Sequence, residues 1–138
     1  MADIYVFADE AGNFDFSLTP GATRYFILTT VTIPDCSVGE QLLSLRRELT
    51  WRGYELPLAF HASDEAQAIR DEVFAILKDI DCRVDATIFE KRKAQPQLQS
   101  ENTLYKMAWY LHFKHVAPRI ATKADRLMVT AASIGTKK

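Results

Sequence analysis

Residues 4–8, Ile-Tyr-Val-Phe-Ala, form a short, nearly continuous apolar run bounded by charge, the pattern of a strand buried on both faces. Residues 24–34, RYFILTTVTIP, are richer in β-branched and aromatic side chains and predict a second strand, ended by Pro34. Gly12, Pro20 and Gly21 punctuate the stretch between them, so the two strands are expected to pair antiparallel across a long loop. From Cys36 to Gly53, Leu42, Leu45 and Leu49 recur at helical spacing, and Gly53 marks a stop. The segment LPLAFHAS reads as short and extended. Ser63 then predicts the cap of a helix running to residue 81, with Asp64 and Glu65 in its first turn and Ile69, Val73, Ile76, Leu77 and Ile80 as its buried stripe.

Residues 82–91 alternate. Val84, Ala86 and Ile88 share one face and Arg83, Asp85 and Thr87 the other, as in a half-exposed or edge strand. The basic-to-polar stretch KRKAQPQLQSEN predicts a loop. A helix is expected from about Thr103 to near Pro118, carrying Leu104, Ala108, Leu111, Trp109, Phe113 and Val116, and DRLMVTAAS predicts a last strand before the terminal Gly-Thr-Lys-Lys. Two strands followed by helices alternating with strands imply a mixed sheet flanked by helices, an α/β or α+β architecture.

Length and composition fit that expectation. At 138 residues, 48% hydrophobic and 25% charged, the chain reads as one globular domain spanning residues 1–138. A net charge of -1 gives no global attraction to nucleic acid, although a local basic patch is compatible with it. Cys36 and Cys82 have neither CxxC spacing nor a nearby His, so they are expected to be reduced, small core residues. There is no basic segment leading into an apolar stretch at the N-terminus and no apolar run of membrane-spanning length, which makes a cytoplasmic protein the default.

No phosphate loop, nucleophile elbow or zinc helix occurs, so any catalytic site must be assembled from separated residues. Asp9 and Glu10 end the first apolar run. Successive strand residues face opposite ways, so in a regular strand only one, Asp9, would project into a site at the strand end, with Gly12 letting the backbone turn close by. One or two carboxylates with waters and phosphate oxygens suffice for magnesium or manganese. The plainer alternative is that Asp9 caps a turn and Glu10 is solvated. His61 precedes a predicted helix and suits phosphate orientation or proton transfer, or else packs the junction. His112 and His115, beside Lys114, read as helix-surface residues. Asp85 reads as solvent-facing, unless its strand neighbours the first and brings it toward Asp9. Lys91, Arg92 and Lys93 can follow a phosphate backbone or form a solvated loop.

The order of YVFADEAGNFDF, RYFILTTVTI, a helix, and FHAS before another helix resembles the DUF3800 family, proteins of unknown function proposed to have an RNase H-like fold. The family opening is a strand ending Asp-Glu-Ser-Gly, here Asp9-Glu10-Ala11-Gly12 with Ala in place of Ser. The resemblance covers most of the chain, and the opening motif is its specific part. It implies an RNase H-like mixed sheet with flanking helices and a metal-dependent phosphodiester hydrolase acting on nucleic acid. Asp9 would be a ligand to Mg2+ or Mn2+, Glu10 a second ligand or support, and His61 a phosphate-orienting or proton-transfer residue. In such chemistry two divalent ions clamp the attacking water and the leaving oxygen.

Two features depart from that pattern. LMVTAAS carries no acidic residue, and family members continue into a further acidic position and a helix where this chain ends at Lys138, so the domain reads as C-terminally incomplete. A second expectation therefore stands beside the first. It is a catalytically inactive RNase H-like binding or interaction module, whose last strand adds to a partner's sheet or pairs in a homodimer.

Overall fold

A computed structural model of the protein describes residues 1–131. In chain order the elements are β1 (Asp3–Ala11), β2 (Tyr25–Ile33), α1 (Val38–Trp51), α2 (Gln67–Lys78), β3 (Arg83–Glu90), α3 (Glu101–Ile120) and β4 (Arg126–Ala131). They form two compact units, one of Met1–Pro34 together with the chain from Cys82 onward, the other of Asp35–Asp81.

The first unit is α/β, a four-stranded mixed sheet in the order β3-β2-β1-β4. β1 and β2 pair antiparallel across a long loop, as the turn residues imply, and β2 pairs antiparallel with β3. β4 lies parallel to β1 on its other side, from Asp3↔Arg126 to Ala8↔Ala131. Parallel neighbours need a long connection, and α3 lies in the crossover from β3 to β4. Arg126 fastens the start of β4 by donating to both Asp3 carboxylate oxygens at 2.8 Å. The end of the expected last strand, past Ala131, and the terminal Gly-Thr-Lys-Lys lie outside the described residues.

β1 does not stop at its two carboxylates. It runs through Asp9 and Glu10 to Ala11 and ends at Gly12, whose φ is +97°. A Cβ at Gly12 would lie 2.3 Å from the Tyr25 carbonyl oxygen, so glycine is required by both backbone angle and space. Burial on both faces of β1 is not realised. Val6 and Ala8 are buried, while Phe7, facing the other way, is 41% exposed. The core lies on the first of these faces, where Ala8, Phe26 and Leu28 meet Leu104 and Ala108 of α3, with Phe14, Phe16, Phe89, Tyr105 and Trp109 packed around them.

β3 is an edge strand, as its alternation predicts, but its faces are inverted. Val84 and Ile88 are 61% and 62% exposed, whereas Asp85 and Thr87 turn toward α3. The cause is on α3. His112 is not a surface residue but fully buried, with Nε2 2.7 Å from the Thr30 hydroxyl and Nδ1 2.7 Å from the Thr87 hydroxyl. Buried polar atoms need partners, and a strand that supplies the Thr87 hydroxyl to the helix and Phe89 to the core sends Val84 and Ile88 outward. Asp85 lies on this inner face too, with its carboxylate held by Arg83 at 2.7 Å. α3 extends past its expected ends at both sides. Ser100 caps it by accepting the Thr103 N–H at 3.3 Å.

The second unit is a pair of helices. α1 ends as Gly53 suggests, with φ +94°, the Gly53 N–H donating to Thr50 and the Tyr54 N–H to Leu49, a Schellman closure. Leu45, Leu49 and Ile69 form the core, with Leu56, Phe60, Val73 and Ile76 around it. Arg52 ties the helices by donating to Glu48 and Glu72, and this pairing raises its pKa above the usual arginine range. α2 begins later than expected, at Gln67 after Ala66, because Ser63 does not cap it. The Ser63 hydroxyl is instead within 2.9 Å of His61 Nδ1. Cys36 and Cys82 are free and exposed rather than core residues, both lying in connections where no element covers them. No helix among the described residues is long and apolar enough to cross a membrane.

Candidate functional site

The register fixes what surrounds Asp9. Its row across the sheet is Asp9↔Thr29↔Ala86, so neither cross-strand neighbour brings a second carboxylate. It lies on the face that α3 leaves open, one residue beyond the last described β1–β4 pair, Ala8↔Ala131. Its carboxylate is exposed, and Oδ1 accepts the Glu10 N–H at 2.9 Å.

Because β1 stays regular, Glu10 points to the opposite, α3-covered face, where its cross-strand neighbour is the buried Leu28. Desolvation there, followed by repulsion from Asp9, raises its pKa above the ordinary carboxylate value. Its Oε2 is buried without a hydrogen-bond partner. The two carboxylates of the Asp-Glu pair are thus adjacent in sequence and divided by the sheet.

His61 belongs to the second unit, in the turn before α2, where its carbonyl accepts the N–H groups of Asp64 and Glu65. Nδ1 lies 3.1 Å from an Asp64 carboxylate oxygen and the imidazole is exposed. It rims a cavity of about 150 Å³ lined by Phe60, Ile69, Val73, Phe74 and Leu77. Asp85 cannot approach Asp9, since β2 separates their strands and they face opposite sides of the sheet.

The basic run after β3 is not a solvated loop throughout. Lys91 is only 4% exposed, and its ammonium donates to the Asn13 carbonyl and side-chain oxygens at 2.9 Å and to the Asp15 carbonyl at 2.7 Å. Burial lowers its pKa, with Asp15 acting in the opposite sense. Asn13 completes this knot by donating to Gly21 O at 2.8 Å, which closes the β1–β2 loop just beyond Asp9. Nothing in the local sequence distinguishes Lys91 from Arg92 and Lys93. His112 did carry a signal: Leu104, Ala108, His112 and Val116 recur every four residues, the spacing of one buried stripe.

Among the described residues, no group of three or more His, Cys, Asp or Glu side chains is placed to hold a metal ion. The oxygen donors of Asp9 suit one hard divalent cation that keeps waters and takes further oxygens from a substrate phosphate. They do not by themselves suit a two-ion clamp. No protein-family model, curated protein or solved structure matches this chain.

Proposed function

We propose that the chain is an RNase H-like domain of the DUF3800 type and a metal-dependent phosphodiester hydrolase, with nucleic acid as substrate and Asp9 as a ligand to Mg2+ or Mn2+. One observation carries this reading. Asp9 presents an exposed carboxylate at the carboxyl end of β1, the strand where the sheet changes from an antiparallel to a parallel neighbour. Ligands of open α/β sheets gather beyond the carboxyl ends of their strands. The knot of Gly12, Asn13 and Lys91 supports it, since it fixes the backbone that follows Asp9. The bound ion would polarise a phosphoryl oxygen and lower the pKa of a coordinated water. Glu10, turned away, is assigned no ligand role.

Asp9→Asn is a direct test, because the amide oxygen can still accept the Glu10 N–H and the fold is expected to persist. Labelled single-stranded DNA, duplex DNA, RNA and RNA–DNA hybrid are incubated with wild type and variant in Mg2+ or Mn2+. The expected outcome is metal-dependent cleavage that falls roughly a hundredfold or more in the variant. A parallel loss of Mn2+ binding by calorimetry is expected.

A second reading is favoured by a specific observation, the division of Asp9 and Glu10 between the two faces without a metal-holding group among the described residues. It is a catalytically inactive RNase H-like binding module. Equal background cleavage by wild type and Asp9→Asn, with no Mn2+ binding by either, would select it.

A further inference from the structure

We propose that the cavity of about 150 Å³ between residues 60–65 and α2 is a binding site for a free α-amino acid with an aromatic or branched apolar side chain. Its whole lining belongs to the second unit. That lining changes character along its length. Ile69, Val73 and Leu77 recur every four residues on one face of α2, and Phe60 and Phe74 stand beside them, so most of the cavity is an apolar trough. The polar residues of the lining, His61, Glu65 and Arg70, gather where α2 begins. About 10 Å of helix separates Arg70 from Leu77, room for one charged head and one side chain laid along the trough. An apolar space of roughly 150 Å³ holds a single six-membered ring, which sets the size of that side chain.

The head end carries two charges that do not satisfy each other. Glu65 is only 9% exposed. Its one side-chain hydrogen bond among the described residues is from the His61 N–H to Oε1 at 3.5 Å, the outer limit of such a bond. Arg70 does not neutralise it. The guanidinium donates to the carbonyls of Ala62 at 3.0 Å and Glu65 at 2.9 Å and to the Gln67 side chain at 2.8 Å, rather than to the Glu65 carboxylate. Those bonds hold Arg70 at the head end and leave further N–H groups of its fork for a ligand.

The neighbouring charges are engaged elsewhere or stand outside the lining. Asp64 lies 3.1 Å from the His61 imidazole, Asp71 accepts from Gln67, and Glu72 pairs with Arg52 of α1. Lys78 does not line the cavity. A buried carboxylate without a partner is costly, and a ligand ammonium offsets that cost. A simple amine would meet Arg70 as a like charge, and a simple acid would meet Glu65 in the same way. A zwitterion answers both, its ammonium toward Glu65 and its carboxylate toward Arg70, with the apolar side chain in the trough.

The test uses three compounds that share one ring: L-phenylalanine, 2-phenylethylamine, which lacks the carboxylate, and 3-phenylpropionate, which lacks the amine. Each is titrated into the full chain, and binding is read from methyl and amide NMR shifts. L-Phenylalanine is expected to shift the methyl groups of Ile69, Val73 and Leu77 saturably, and the other two to bind about tenfold or more weakly than it does. Glu65→Gln keeps the side-chain shape and an oxygen toward the His61 N–H. It is expected to weaken L-phenylalanine about tenfold while leaving 3-phenylpropionate undiminished. No saturable shift at millimolar L-phenylalanine would overturn the proposal. So would equal affinity for the three compounds, which would reduce the site to burial of a ring. Undiminished binding of L-phenylalanine by a folded Glu65→Gln would overturn it too, and the wild-type series decides alone should that variant unfold.

Discussion

His112 shows how one side chain sets the character of a face. Both ring nitrogens are engaged by threonine hydroxyls, and a neutral imidazole, with one donor and one acceptor, is satisfied by that pair. Burial lowers its pKa below the usual 6.5, with Asp85 as a weaker opposing influence. The sign of the pH effect follows. Below about 6.5 the unfolded chain binds a proton at this histidine that the folded chain resists, so stability is present above that pH and declines as pH falls toward the folded-state value. Urea unfolding between pH 7 and pH 5.5 should show this decline in wild type and a flatter profile in His112→Gln. His112→Ala should lose about 2–4 kcal/mol at pH 7, because it leaves a cavity and the buried Thr30 hydroxyl without its partner. An unchanged pH profile in His112→Gln would remove the assignment.

At the scale of elements, the connection that follows Asp9 is the one built with least tolerance. Gly12 combines φ +97° with a backbone oxygen where a Cβ would stand. Gly12→Ala is expected to cost about 2–3 kcal/mol in chemical denaturation, and to loosen the Asn13–Lys91 knot, read as faster amide exchange in the β1–β2 loop. Gly21→Ala, with nothing within 4 Å of the added methyl, is the matched control and should cost little. The existence and type of these elements were legible because they rest on local patterns: apolar runs for β1 and β2, alternation for β3, leucine spacing and Gly53 for α1. What was not legible rests on distant partners. The orientation of β3 follows from Thr87 bonding His112, some 25 residues away, and from Phe89 packing into the core, which together leave valine and isoleucine outside. Lys91 looks like its neighbours until the loop that wraps its ammonium is in place. Ser63 lost its expected cap role to the imidazole two residues before it. The candidate site was half legible. Alternation alone warned that Asp9 and Glu10 could not share a face, but nothing local told that the strand would stay regular through both.

At the scale of the whole chain, the route between the two units decides what each needs. β2 and β3 pair antiparallel as far as Thr32↔Arg83, so the chain leaves one strand and returns to its neighbour at the same end of the sheet. Asp35–Asp81 is therefore an insertion into what would otherwise be a hairpin. Each unit also closes its own core, Phe26, Leu28, Leu104 and Ala108 in one and Leu45, Leu49 and Ile69 in the other. Replacing residues 34–81 by a short Asn-Gly turn, the sequence such hairpins favour, should leave a sheet that unfolds cooperatively and keeps its near-ultraviolet dichroism. The same shortened chain separates two assignments made from sequence, because Asp9 stays and His61 leaves. If the metal reading rests on Asp9, Mn2+ affinity in the shortened chain should match that of the full chain within about threefold. A folded product that has lost Mn2+ binding would move the essential ligand into the inserted segment. An expanded product that binds hydrophobic dye would show that the sheet requires the insertion in order to fold.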